Sequence, residues 1–193
     1  LKNLQARRLP PDAERQAIAG LRREVLDNLI HARLTQQEIQ RQKITVTEAE
    51  VDRLLAAVVA TDPAALRDRA LLEFLYATGA RISEACGLSL GDLDRENRLV
   101  RVFGKGAKER IVPFGRAAAA AMDEWLTAGR QHMEPARWAR RGDQEAVFLN
   151  TRGARLSRQA AWAIVKKYGE LVGLADKLSP HVLRHSCATH LLD

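Results

Sequence analysis

Leu99-Val100-Arg101-Val102-Phe103-Gly104-Lys105-Gly106-Ala107-Lys108-Glu109-Arg110-Ile111-Val112-Pro113-Phe114 is where the period of the chain changes. Residues 99–103 and 110–114 are rich in β-branched and aromatic side chains. The Gly- and Lys-rich segment between them, 104–109, reads as a hairpin turn. On both sides the apolar residues recur at helical spacing instead. The expected fold is therefore mainly α with a small antiparallel β-sheet, an α+β domain.

Working back from the hairpin, 83–88 is a short helix. The helix before it carries Leu66, Ala70, Leu71, Phe74 and Leu75 on one stripe. It opens at Asp62-Pro63, an N-cap followed by Pro at the first position, and stops at Gly79. Thr47-Glu48-Ala49-Glu50 is a capping box in front of Val51, Leu54, Leu55 and Val58. Forward of the hairpin, 117–125 is Ala-rich and helical. Residues 132–143 form an Arg-rich loop, and 147–149 a short strand. Ser157 caps a helix running to about Val172, and Ser179-Pro180 opens the last one. Trp125, Trp138, Trp162, Tyr76 and Tyr168 read as packing residues. At the front, Ile18, Leu21, Val25 and Leu29 follow Pro10-Pro11-Asp12 at helical spacing, and Thr35 caps a polar helix to Lys43. The expected organisation is a helical extension, 1–43, and a domain, 44–193.

The 193 residues hold 31 Lys and Arg against 24 Asp and Glu, a net charge of +7. That balance favours a polyanion, nucleic acid before an acidic membrane surface. Cys86 and Cys187 are too few for a disulfide framework and have no metal-type spacing. They read as two thiols in a reducing cytoplasm. No apolar run approaches the roughly 20 residues that span a bilayer, so no membrane partner is expected. The start, Leu1-Lys2-Asn3-Leu4, has neither Met nor a signal-peptide pattern, and the chain reads as a piece of something cytoplasmic.

Three segments carry chemistry together. Residues 77–84 (Ala-Thr-Gly-Ala-Arg-Ile-Ser-Glu) put Arg81 just past a helix C-cap. The hairpin turn carries Lys105. Residues 179–185 (Ser-Pro-His-Val-Leu-Arg-His) put His181 and Arg184 one turn apart on a helix. Taken singly, each is an ordinary solvated charge. Together, two Arg, one Lys and one His suit a phosphodiester. Guanidinium groups grip phosphate oxygens two at a time and neutralise charge in a transition state. A Lys on a turn can protonate a leaving oxygen, and a His works near neutral pH. No carboxylate cluster suggests a metal, and no motif suggests a cofactor.

Residues from about Thr47 to Asp193 resemble the catalytic domain of tyrosine recombinases of the bacterial XerC/XerD group. The resemblance lies in 77–88 (ATGARISEACGL), 102–113 (VFGKGAKERIVP) and 178–192 (LSPHVLRHSCATHLL), the last closer to XerD. It implies that Arg81 and Arg184 clamp the scissile phosphate. Lys105 is then the acid toward the leaving 5′ oxygen, with Lys108 a rival, and His181 is the His of the family's His-x-x-Arg motif. It implies double-stranded DNA as substrate, a 3′-phosphotyrosyl intermediate, no cofactor, and a partner recombinase in a synaptic tetramer. Further DNA contacts are expected at Arg152, Arg155, Arg158 and His185. The loop residues Arg137, Arg140 and Arg141 read either as solvated or as phosphate contacts.

Two departures from the pattern shape the expectation. The family's nucleophilic Tyr lies beyond residue 193, so these residues alone are expected not to cleave DNA. Residues 1–46 resemble the N-terminal helical region of SurA-type chaperones rather than a core-binding domain, which suggests a chimera. A DNA-binding fragment without catalysis, or a chaperone-like polypeptide-binding module, are the competing functions.

Overall fold

The structure, a computed structural model, describes residues 46–104 and 109–190. The chain divides into two units, 1–44 and 45–193. All described residues belong to the second. The helical readings at 18–43 and the chaperone resemblance lie outside the described residues, as do Lys105 and Lys108.

Six α-helices and one sheet make up the described unit. They are α1 Glu48–Ala56, α2 Pro63–Thr78, α3 Ile82–Gly87, α4 Arg116–Glu124, α5 Arg158–Leu171 and α6 Pro180–His190, with strands β1 Leu93–Asp94, β2 Leu99–Phe103 and β3 Glu109–Pro113. The sheet is antiparallel in the order β1-β2-β3, with Val102 opposite Arg110 and Val100 opposite Val112. The mostly helical fold with a small sheet is the one expected.

The caps follow the sequence. Thr47 accepts from the Glu50 amide and Glu50 reaches back to the Thr47 amide, closing the capping box of α1. Asp62 accepts from the Ala65 amide at 2.8 Å ahead of Pro63. Ser157 accepts from the Ala160 amide at 3.1 Å and opens α5. Each such cap is worth about 1 kcal/mol.

Helix α2 runs through the centre. Its stripe is wider than the sequence shows, because Leu71, Leu72 and Phe74 are all fully buried. So are Arg67 and Asp68, which satisfy each other. The Asp68 carboxylate accepts from Arg67 Nε and Nη2, and Arg67 Nη1 donates to the Leu149 carbonyl. Phe74 meets Phe148 edge to face with centroids 6.4 Å apart.

Residues 147–149 are not a strand. They are fully buried, but flanked only by isolated bridges, Ser89 with Ala146 and Leu149 with Arg155. Their carbonyls are taken by side chains and a turn. Trp125 Nε1 donates to Val147, the Leu156 amide to Phe148, and Arg67 to Leu149. A short apolar run bonded in this way stays dry without a ladder.

Other details differ as well. Helix α1 ends at Ala56, so Val58 packs from the following turn. After α4 the chain widens into a π-helical turn, Trp125–Gly129, then tightens to a 3-10 turn, Arg130–Met133. A Cβ on Gly129 would sit 2.6 Å from the Trp125 ring, so only glycine lets that indole lie fully buried. Trp162 is 46% exposed beside Lys166, so it is not the packing residue expected.

Candidate active site

The turn after α2 sets the geometry. Gly79 adopts φ +55°, a left-handed conformation that costs glycine little and other residues more. A Cβ there would lie 3.4 Å from Cys187 Sγ and 3.9 Å from Arg184 Cγ. The end of α2 is thus pressed against α6 at Arg184. Thr78 holds the turn by donating to the Phe74 carbonyl and accepting from the Ala80 amide. Ala80 is buried, and the chain emerges at Arg81, the N-cap of α3.

Glu84, in the first turn of α3, has a side chain only 2% exposed. It accepts from the Arg81 amide at 2.7 Å and from Arg81 Nη1 at 3.0 Å. Arg110 reaches it from β3 as a two-pronged fork, Nη1 to Oε1 and Nη2 to Oε2, both at 2.8 Å. Burial by itself raises the Glu84 carboxyl. The hydrogen bonds from Arg110 and Arg81 outweigh that and bring it down to about 2.

Helix α6 supplies the other side. Ser179 Oγ accepts from the Val182 amide at 3.3 Å and caps it. Val182, Leu183, Ser186 and Cys187 face inward, which turns His181 and Arg184 toward Arg81. Arg184 Nη1 is buried with no hydrogen-bond partner among the described residues. Burial lowers the Arg184 pKa and so does the Arg81 charge, while Glu84 raises it and Arg110 lowers it. His181 is lowered by desolvation first, then by the Arg184 and Arg81 charges. It is therefore mostly neutral at pH 7, able to donate from one ring nitrogen and accept at the other. An NMR titration should show its midpoint below 6.5. Arg184→Gln should move that midpoint upward, since a depressing charge is gone; an unchanged midpoint would show that the two do not interact.

Arg81, His181 and Arg184, the described members of the expected catalytic set, thus meet at the junction of α2, α3 and α6. Arg110 and Glu84 lie within the same motifs without an expected role. The signal was there: Arg110 shares a strand face with Val112, and an Arg on a core-facing position needs a buried partner. Arg155 is tied into the domain itself. It was expected on DNA, yet Nη1 donates to the Gly87 and Leu88 carbonyls at 2.8 and 2.6 Å, and Nη2 to Ser89 Oγ at 3.0 Å. Its guanidinium caps the C-terminal end of α3. Arg152 and Arg158, flanking the start of α5, are exposed, as are His185 and the loop residues Arg137, Arg140 and Arg141. No group of three His, Cys, Asp or Glu residues that could hold a metal occurs among the described residues.

Comparison with known proteins adds the family. The phage integrase family model matches residues 45–193. The chain belongs to the phage integrase family. Within that family, the XerD tyrosine recombinase of Bifidobacterium longum is 50% identical over 150 residues, which is 76% of this chain and 49% of the relative. The XerC tyrosine recombinase of Corynebacterium efficiens is 44% identical over 164 residues, 84% of this chain and 50% of the relative. The crystal structure of XerA recombinase aligns with a TM-score of 0.65 at 27% identity, over 77% of this chain and 50% of that one. XerH recombinase bound to its palindromic difH substrate after cleavage aligns at 0.63 and 26%, over 77% and 41%. The chain spans about half the length of the relatives it matches. In this family member the fold class is that of the solved recombinases.

Proposed function

We propose that this chain supplies the phosphate clamp of a Xer-type tyrosine recombinase, acting on double-stranded DNA in site-specific recombination in the cytoplasm. One observation carries the proposal. Three guanidinium groups, Arg81, Arg110 and Arg184, act on one another around one carboxylate, Glu84, and among the described residues Arg184 keeps a buried donor without an acceptor. The cluster holds two positive charges more than it balances. A phosphodiester brings one negative charge and its pentacoordinate transition state two, so the surplus suits the transition state better than the ground state. The DNA-bound XerH neighbour supports the choice of polyanion.

In the family reaction a tyrosine oxygen attacks phosphorus, the bond to the 5′ oxygen breaks, and that oxygen takes a proton. Arg81 and Arg184 hold the non-bridging oxygens, and His181 shares a proton with one of them. Lys105 is proposed as the acid toward the 5′ oxygen, with Lys108 as the rival for that role. The phosphotyrosyl bond keeps the energy of the phosphodiester, so the return attack by a 5′ hydroxyl needs no further input. The attacking tyrosine is proposed to lie outside these 193 residues. Tyr76 is hydrogen-bonded to His190 Nδ1 at 2.8 Å, and Tyr168 is buried. Arg152, Arg158 and His185 are proposed as backbone contacts. A second recombinase subunit is proposed as the partner in synapsis.

Fluorescence anisotropy on a short duplex at low salt tests the clamp. Arg81→Ala and Arg184→Ala should each weaken binding about tenfold or more, as loss of a charge-assisted hydrogen bond does. Each should also flatten the slope of log affinity against log salt by about 0.9, the equivalent of one phosphate. Arg140→Ala, on the exposed loop, should do much less. Equal effects at all three positions would overturn the shared clamp.

A further inference from the structure

Arg110 is the least expected member of the cluster. It stands on β3, opposite Val102 of β2, and not on either helix that carries the clamp. Its side chain is 37% exposed, so it is not simply a core filler. Both of its terminal nitrogens are committed to Glu84, one to each oxygen. Glu84 in turn offers Arg81 one contact to its side chain, at Nη1, and one to its amide.

That division of lone pairs has a consequence. A carboxylate facing Arg81 alone would take the guanidinium in a fork and cancel its charge. Here the fork is filled by Arg110, and the Glu84–Arg110 pair is neutral as a unit. Among the described residues Arg81 has one orienting side-chain bond, a side chain 56% exposed, and Nε and Nη2 for another acceptor.

We infer that Arg110 is a positioning residue: by forking onto both oxygens of Glu84 it limits Arg81 to a single side-chain contact there, keeping Arg81 aimed outward with its charge only partly compensated, and it ties the β2–β3 hairpin to the turn that carries Arg81. The inference rests on the proposed phosphate role of Arg81. It assigns Arg110 no contact with DNA. Removing Arg110 frees Glu84 to take Arg81 as its only partner, so the phosphate loses Arg81 even though Arg81 is still present.

A double-mutant cycle in the anisotropy assay separates the possibilities, using the full chain, a short DNA duplex and a salt series. Arg110→Ala should weaken binding by most of the roughly tenfold lost in Arg81→Ala. In the Arg81→Ala background, Arg110→Ala should then cost less than about twofold, and the salt slope should not fall further. Full additivity, with the slope falling by a second step of about 0.9, would show that Arg110 touches phosphate itself and would overturn the inference. Arg110→Ala indistinguishable from wild type would also overturn it. If Arg81→Ala alone has no effect, the phosphate role of Arg81 fails first, and that result is distinct from the others. Circular dichroism and thermal melting establish that each variant is folded. Should Arg110→Ala not fold, Arg110→Lys decides. Lysine keeps the charge but cannot fork, so affinity should lie between wild type and Arg81→Ala, and this loss too should vanish in the Arg81→Ala background. Wild-type affinity for Arg110→Lys would show that charge alone suffices and would sink the positioning role.

Discussion

Glu84→Ala is expected to destabilise the domain by about 2–3 kcal/mol, the scale of losing charge-assisted hydrogen bonds to two partly exposed guanidinium groups. The change leaves Arg81 and Arg110 crowded together without their shared counter-ion, and it frees the amide of Arg81 at the start of α3. Urea unfolding at pH 7 reads the loss as a lower midpoint at constant slope. A companion effect appears in the wild-type chain as a function of pH. The Glu84 carboxyl sits at about 2 when folded, against an ordinary 4.5. A depressed acid contributes stability that is complete above its unfolded value and disappears as pH falls through its folded value. The window is therefore pH 4.5 down to about 2, and the amount is about 3 kcal/mol for a shift of this size. In Glu84→Ala that acid-dependent fraction should be absent. A variant whose unfolding midpoint falls with acid as steeply as wild type's would show that another carboxylate is responsible.

Arg155→Ala is expected to cost about 2–4 kcal/mol, through carbonyls left without a donor as well as the lost bonds. The guanidinium reaches Cys86, Gly87, Leu88, Ser89 and Gly142, so its removal unties the end of α3 from two loops at once. The same variant distinguishes a scaffold arginine from a DNA contact. Its stability should fall, while the affinity of the folded fraction for duplex DNA and its salt slope should hold. Unchanged stability with a flatter salt slope would return Arg155 to the DNA surface.

The helices of this domain were legible because their signals are local. Asp62-Pro63, Thr47 with Glu50 and Ser157 each announce a start by chemistry that acts within one turn. Gly79 announced a stop for the same reason. The hairpin was legible from its two β-branched runs, apart from a shift of one residue, Glu109 in place of Arg110 at the start of β3. What stayed hidden depends on distant partners. Residues 147–149 have the composition of a strand. They lack a neighbour to pair with, and their carbonyls go to Trp125, Leu156 and Arg67, residues 8 to 82 positions away in sequence. The same holds for the site. Arg81, His181 and Arg184 stand in recognisable motifs. The tasks of Glu84, Arg110 and Arg155 follow only from which strand, loop and helix end arrive beside α3.

The left-handed residue at 79 has an engineering consequence. The placement of the two arginines follows the backbone, because the left-handed turn that ends α2 aims Arg81 while packing against the flank of α6 at Cys187 and Arg184. The pair behaves as a jaw of set width. Exchanging the jaw's teeth, for instance lysine for arginine, retunes grip and leaves the span alone. Fitting the site to a bulkier anion would require reseating α6 on α2, with Gly79, Cys187 and the stem of Arg184 redesigned as one unit.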